Sequence, residues 1–139
     1  MSSPFAQLEG QTPLISDRFI ITLMAGANIT IGQLLYLNGT DFTVAPAPGT
    51  QNLTTIVGVA MATRASGKTV PVLCMGLCRV KAWGSIAAGD QVTSASGGTA
   101  GVGLVQSDTG ESSAQKNATV IGQALQAISS GATGIIVLW

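Results

Sequence analysis

Residues 56–74 read IVGVAMATRASGKTVPVLC and residues 120–138 read VIGQALQAISSGATGIIVL. Taken alone, the first stretch spells a loose phosphate-binding loop, with Gly67, Lys68 and Thr69 in the diagnostic places. A working loop of that kind must come after a strand and open a helix whose N-terminal N–H groups hold phosphate. Here the chain continues as Thr69-Val70-Pro71-Val72-Leu73, where Pro71 removes a backbone donor and β-branched neighbours favour a strand. The second stretch supplies an independent objection. A shift of 64 positions places Gly58 on Gly122, Ala60 on Ala124, Met61 on Leu125 and Gly67 on Gly131, with Ala132 where Lys68 stands. The shared feature is a Ser-Gly turn between two strands, with Gly67 and Gly131 in the left-handed conformation.

The correspondence extends outward. A shift of 57 positions places ITLMAGANITIGQLL, residues 21–35, on the segment ending at Val92, with Ile29 on Ile86 and Gly32 on Gly89. The chain therefore reads as two copies of one unit, at about 20–74 and 77–138. The two shifts differ by seven residues, which places an insertion within 94–118. That segment, SASGGTAGVGLVQSDTGESSAQKNA, has the composition of a surface loop.

Each unit reads as strands. TTIVGVAM, TVPVLCMG, CRVKAW and GIIVLW are short, apolar or β-branched, and bounded by Gly, Asn or Ser-Gly. VIGQALQAI is the best helical candidate, yet its counterpart IVGVAMAT looks extended, so it too is read as a strand. Gly32 and Gly89 suit turns that need positive φ before the next strand. The expected fold is all-β, a compact barrel or sandwich built from two similar β units. Residues 1–18 stand outside the repeat, as a loose tail or an arm that docks elsewhere, and 19–139 form a single β domain.

Composition narrows the function classes. Six basic and six acidic residues cancel and make up 9% of the chain, while 46% of residues are apolar. Without a basic stripe, an electrostatic grip on nucleic acid is not expected. So few charges leave little to keep a lone monomer soluble, and point to burial against copies or a partner. Polar residues and glycines interrupt the uncharged runs, which argues against a membrane span. The start, MSSPFAQLEGQTP, lacks the pattern of a secretory signal, so the expectation is folding in a reducing cytoplasm. Cys74 and Cys78 are then free thiols, and the Asn-x-Ser/Thr matches at Asn28, Asn38, Asn52 and Asn117 reflect composition.

Chemistry is sparse. There is no histidine, and the six carboxylates show no paired spacing. Asp90 in AAGDQV is the most tempting acid, but Gln33 is its counterpart, so turn geometry explains it. No cofactor, metal or catalytic residue is expected. Nucleotide binding through Lys68 is the least favoured alternative.

The pattern VGVAMATRASGKTVPVLCMGLCRVKAWGSIAAGDQVTS, joined further along the chain by VIGQALQAISSGATGIIVLW, resembles the head decoration, or capsid cement, proteins of tailed bacteriophages. The shared positions are a Gly-x-Ala strand, a Ser-Gly turn, a Val-x-Val strand, an Ile-x-x-Gly-Asp turn and a closing Gly-x-Ala-Leu strand. The resemblance implies a non-enzymatic homotrimer on the virion's outer capsid surface, bound to the major capsid protein and stabilising the shell. By that analogy Pro4, Phe5, Leu8, Pro13 and Leu14 anchor the arm, for example by adding a strand to a sheet edge. Trp83 and Trp139 are either core residues or oligomer-interface anchors. A tail or fibre component of a phage is the alternative.

Overall fold

The computed structural model describes residues 18–49, 55–108 and 120–139. Nine strands run in chain order: β1 (Phe19–Ala25), β2 (Leu34–Leu37), β3 (Thr43–Pro46), β4 (Ile56–Ala60), β5 (Thr69–Lys81), β6 (Gln91–Ser94), β7 (Val105–Ser107), β8 (Gly122–Ala124) and β9 (Thr133–Leu138). A short 3-10 turn spans Gly98–Gly101. The all-β expectation holds, and VIGQALQAI contributes the extended β8.

β1 pairs in parallel with β3, β3 with β2, β2 with β4, β4 with β5, and β5 returns to β1, closing a five-stranded barrel. The second circuit repeats that order as β5, β7, β6, β8 and β9. A parallel bridge between Ala82 and Val105 brings β7 back to the end of β5. The two circuits agree residue by residue. Leu35↔Gly58 recurs as Val92↔Gly122, Ala60↔Val72 as Ala124↔Ile136, and the bridge Ile29↔Arg64 as Ile86↔Ile128.

The reading of TVPVLCMG and CRVKAW as separate short strands is corrected: the first and all of the second up to Lys81 lie on β5, a single strand of 13 residues. Its first half belongs to barrel one and its second half to barrel two. At the changeover Gly76 has φ 124°, where the strand passes from one barrel to the other. Pro71 is accommodated within this strand. Its carbonyl accepts the Met61 N–H just beyond the end of β4, and its missing N–H points to the same edge. In barrel two the counterpart Ile135 keeps its N–H, which donates to Gln126 Oε1 at 3.0 Å rather than to a strand.

The interiors match as well. Leu23, Ala25, Ile29, Leu35, Val44, Ala60 and Val72 fill barrel one. Their counterparts Val80, Ala82, Ile86, Val92, Val105, Ala124 and Ile136 fill barrel two. Where barrel one buries Val70 and exposes Arg64, barrel two has Gly134 and a buried Ile128. A Cβ on Gly134 would lie 2.4 Å from Ile128 Cγ1, so Ile128 occupies the volume that Val70 fills in the other copy. Gly58 and Gly122 are required by close approach, since a Cβ on either would lie 2.0 Å from a carbonyl oxygen of the next strand.

Leu34, Val59 and Leu73 point out of barrel one and join the core cluster of barrel two, sealing the pair. The expectation that 94–118 is surface loop fails over its described part, because β7 lies within it and Ala95 and Val105 are fully buried. From β2 to β3 Leu37 and Val44 are seven positions apart, whereas their counterparts Ser94 and Val105 are eleven apart, so four extra residues precede β7. These build the 3-10 turn and carry it onto barrel one. Gly98 N–H donates to Gly49 O at 3.1 Å, and a Cβ on Gly49 would lie 1.9 Å from Gly98 O. Small residues are there to allow contact, although their composition spells a loop.

Candidate interaction surface

The ATRASGKT turn offers no phosphate cradle. Thr69 opens β5, and the turn's amides are already committed within the protein. Ser66 N–H donates to Asn28 Oδ1 at 3.1 Å, Gly67 N–H to Ala25 O at 2.8 Å, and Lys68 N–H to Ala65 O at 3.2 Å. The last two bonds recur in barrel two as Gly131 to Ala82 and Ala132 to Ser129. Gly32, Gly67, Gly89 and Gly131 all have positive φ, between 79° and 90°.

Asp90 is a turn residue by the same comparison. Its Oδ2 accepts the Ala87 N–H at 2.9 Å, as Gln33 Oε1 accepts the Thr30 N–H at 2.8 Å. Ser107 Oγ also donates to Asp90 Oδ2 at 2.9 Å. Among the described residues, no group of three or more Cys, Asp or Glu side chains is placed to hold a metal ion. Also among them, no helix is long and apolar enough to cross a membrane. Cys74 and Cys78 are free. Burial pushes the Cys78 thiol up to about 12 and raises that of Cys74.

The arm residues Pro4, Phe5, Leu8, Pro13 and Leu14 lie outside the described residues. Trp83 and Trp139 are not core residues: they are 37% and 54% exposed. The ring of Trp83 lies over Gly97, where a Cβ would come within 2.5 Å of it. Trp139 ends the chain beside β8, its N–H donating to Ile121 O. The two tryptophans are therefore available at the surface of the single chain.

The structure adds apolar surface that the sequence did not single out. Phe19 pairs directly with Met75, and both are exposed, near the changeover between barrels. Trp139, next after the last β5–β9 pair Gly76↔Leu138, is exposed as well. On another side, Phe42, at 77% exposure, stands at the lip of a groove of about 610 Å³ lined by Ile21, Leu23, Leu37 and Val57. A cleft of about 680 Å³ lies at the seam between barrels, with Gln33, Arg79, Lys81 and Leu104 on its walls. Exposed large apolar side chains in clusters mark surfaces that meet something other than water. The alternation of β strands hides this from sequence, since inward and outward positions are both apolar here.

No protein-family model and no curated protein sequence matches the chain. The fold is similar to the crystal structure of the N base of head fiber gp8.5 in bacteriophage phi29. The TM-score is 0.61 at 21% sequence identity, over 88% of this chain and 94% of that one. That likeness establishes a shared fold along nearly the whole of both chains.

Proposed function

We propose that this protein is a structural component of a phage virion that binds the outer surface of the capsid and stabilises the shell, without catalysis. The observation that carries the reading is the fold likeness to a phage head-fiber base across almost the full length of both chains. The committed amides of the ATRASGKT turn and the clustered exposed apolar side chains support it, because they suit contact rather than chemistry. In this reading the major capsid protein is the partner, the protein is a homotrimer, and the arm holding Pro4, Phe5, Leu8, Pro13 and Leu14 anchors it. Trp83 and Trp139 serve as interface anchors.

A second reading, the base of a fibre mounted on the head, is favoured by the identity of that neighbour. Both readings require attachment to the head. Purified protein added to heads that lack it should bind saturably at symmetry-related sites, visible by cryo-electron microscopy. Absence of saturable binding would sink both. Bound protein that raises the temperature at which heads release DNA supports the cement role, whereas a further fibre projecting from each bound copy supports the base.

A further inference from the structure

Barrel two departs from its duplicate along one wall of the seam cleft. Val44 lies beside Ala25 as Val105 lies beside Ala82, so Phe42 (φ 55°) corresponds to Gly103 (φ 74°), and Met24 to Lys81. In barrel one the Met24 N–H donates to Phe42 O at 2.9 Å. In barrel two Gly103 O instead accepts the Leu34 N–H of barrel one at 2.9 Å, and no described residue accepts the Lys81 N–H. That N–H points away from β9. Ile135 N–H donates to Gln126 rather than to its ladder neighbour Arg79, so Arg79 turns its backbone groups to the opposite side. Lys81, two residues on, does the same. The opposite side is the cleft, where Gly32 of barrel one approaches Arg79 O.

The side chains change along with the backbone. Where barrel one has Thr22 and Met24, barrel two has Arg79 and Lys81, two of the chain's six basic residues, both exposed on the cleft. No Asp or Glu among the described residues lines that cleft. An amide, a guanidinium and an ammonium group are all donors, and together they call for an anion. Barrel one's side of the cleft is apolar, with Met61 and a 61% exposed Ile31. Two cations facing an apolar wall suit a nucleic-acid backbone poorly, because it needs a longer basic track. They suit an extended peptide, whose alternate side chains point to opposite sides and repeat at roughly 7 Å, the spacing of Arg79 and Lys81 along β5. We propose that the seam cleft binds an extended acidic segment of a partner protein. Carboxylates at alternate positions meet Arg79, Lys81 and the Lys81 N–H, and the apolar residue between them packs against Ile31 and Met61. This site does not depend on the capsid reading.

Amide NMR of the full chain, with no heads present, tests this separately from capsid attachment. The probe is the capped peptide Leu-Glu-Leu-Glu-Leu, titrated to millimolar concentration beside its Leu-Gln-Leu-Gln-Leu counterpart. The acidic peptide is expected to bind saturably, to shift the Lys81 amide, and to weaken as salt is raised. The double variant Arg79→Gln, Lys81→Gln should bind it about tenfold more weakly with an unchanged melting temperature. Arg64→Gln, which removes an exposed cation outside the cleft, should bind like wild type. No saturable shift at Lys81 with the acidic peptide, equal binding of the Gln peptide, or equal binding by the folded double variant overturns the proposal. A Lys81 amide that shifts with inorganic phosphate but not with the acidic peptide overturns it too, and assigns the cations to a small anion.

Discussion

At the scale of single residues, paired positions in the two barrels act as internal controls. Gly134 exists because Ile128 fills the space above it. Gly134→Ala should cost roughly 1–3 kcal/mol by overpacking, and Ile128→Val in the same chain should recover part of that loss. Urea melts of the two single variants and the double variant give the coupling; strict additivity would refute the contact. Phe42→Gly should stabilise, or at least not destabilise, the isolated chain, by up to about 1 kcal/mol from relief of positive φ. Cys78 gives a pH dependence with a definite sign. Its thiol ionises near 9.0 in the unfolded chain but is held up to about 12 in the fold. Its contribution is therefore complete below pH 9 and is lost as pH rises toward 12, at a slope on the order of 1 kcal/mol per pH unit. The difference between wild type and Cys78→Ala in alkaline urea melts isolates it; parallel curves would refute it.

At the scale of elements, β5 carries the architecture. Its 13 residues reach roughly 40 Å, enough to serve one barrel with each half. Pro71 sits in it at a position whose N–H has no ladder partner, as Ile135 shows with its side-chain acceptor Gln126. Ile135→Pro should therefore be tolerated far better than Ile136→Pro, whose residue is fully buried and paired within β9. Thermal melts of the two variants compare them directly, and equal losses would contradict the edge assignment. The strand identities of TTIVGVAM and GIIVLW were legible from β-branching and bounding glycines. The length of β5 was not, because Gly76 reads as a terminator in sequence and acts as a changeover in space. The β7 strand was also missed, since three strand residues, one of them the fully buried Val105, are embedded in Ser- and Gly-rich surroundings.

At the scale of the molecule, the two barrels share a strand and a seam, so they should not melt apart. Leu34, Val59 and Leu73 leave barrel one to pack in the core of barrel two. Calorimetry should show one cooperative transition, and a fragment ending at Cys74 should not fold alone. Two resolved transitions would show that the seam is weak. On sequence alone the duplication was visible, because Gly58/Gly122, Gly67/Gly131 and Gly32/Gly89 mark backbone constraints that both copies must obey. The all-β class and the turn identity of ATRASGKT were likewise determined there, since Pro71 and β-branching exclude the helix a phosphate loop needs. Only the tertiary structure decided how the copies join, which apolar residues face water, and that Phe42 stands where Gly103 does. Those features depend on contacts between distant segments and on a shift in register across the four extra residues before β7. Local composition carries no record of either.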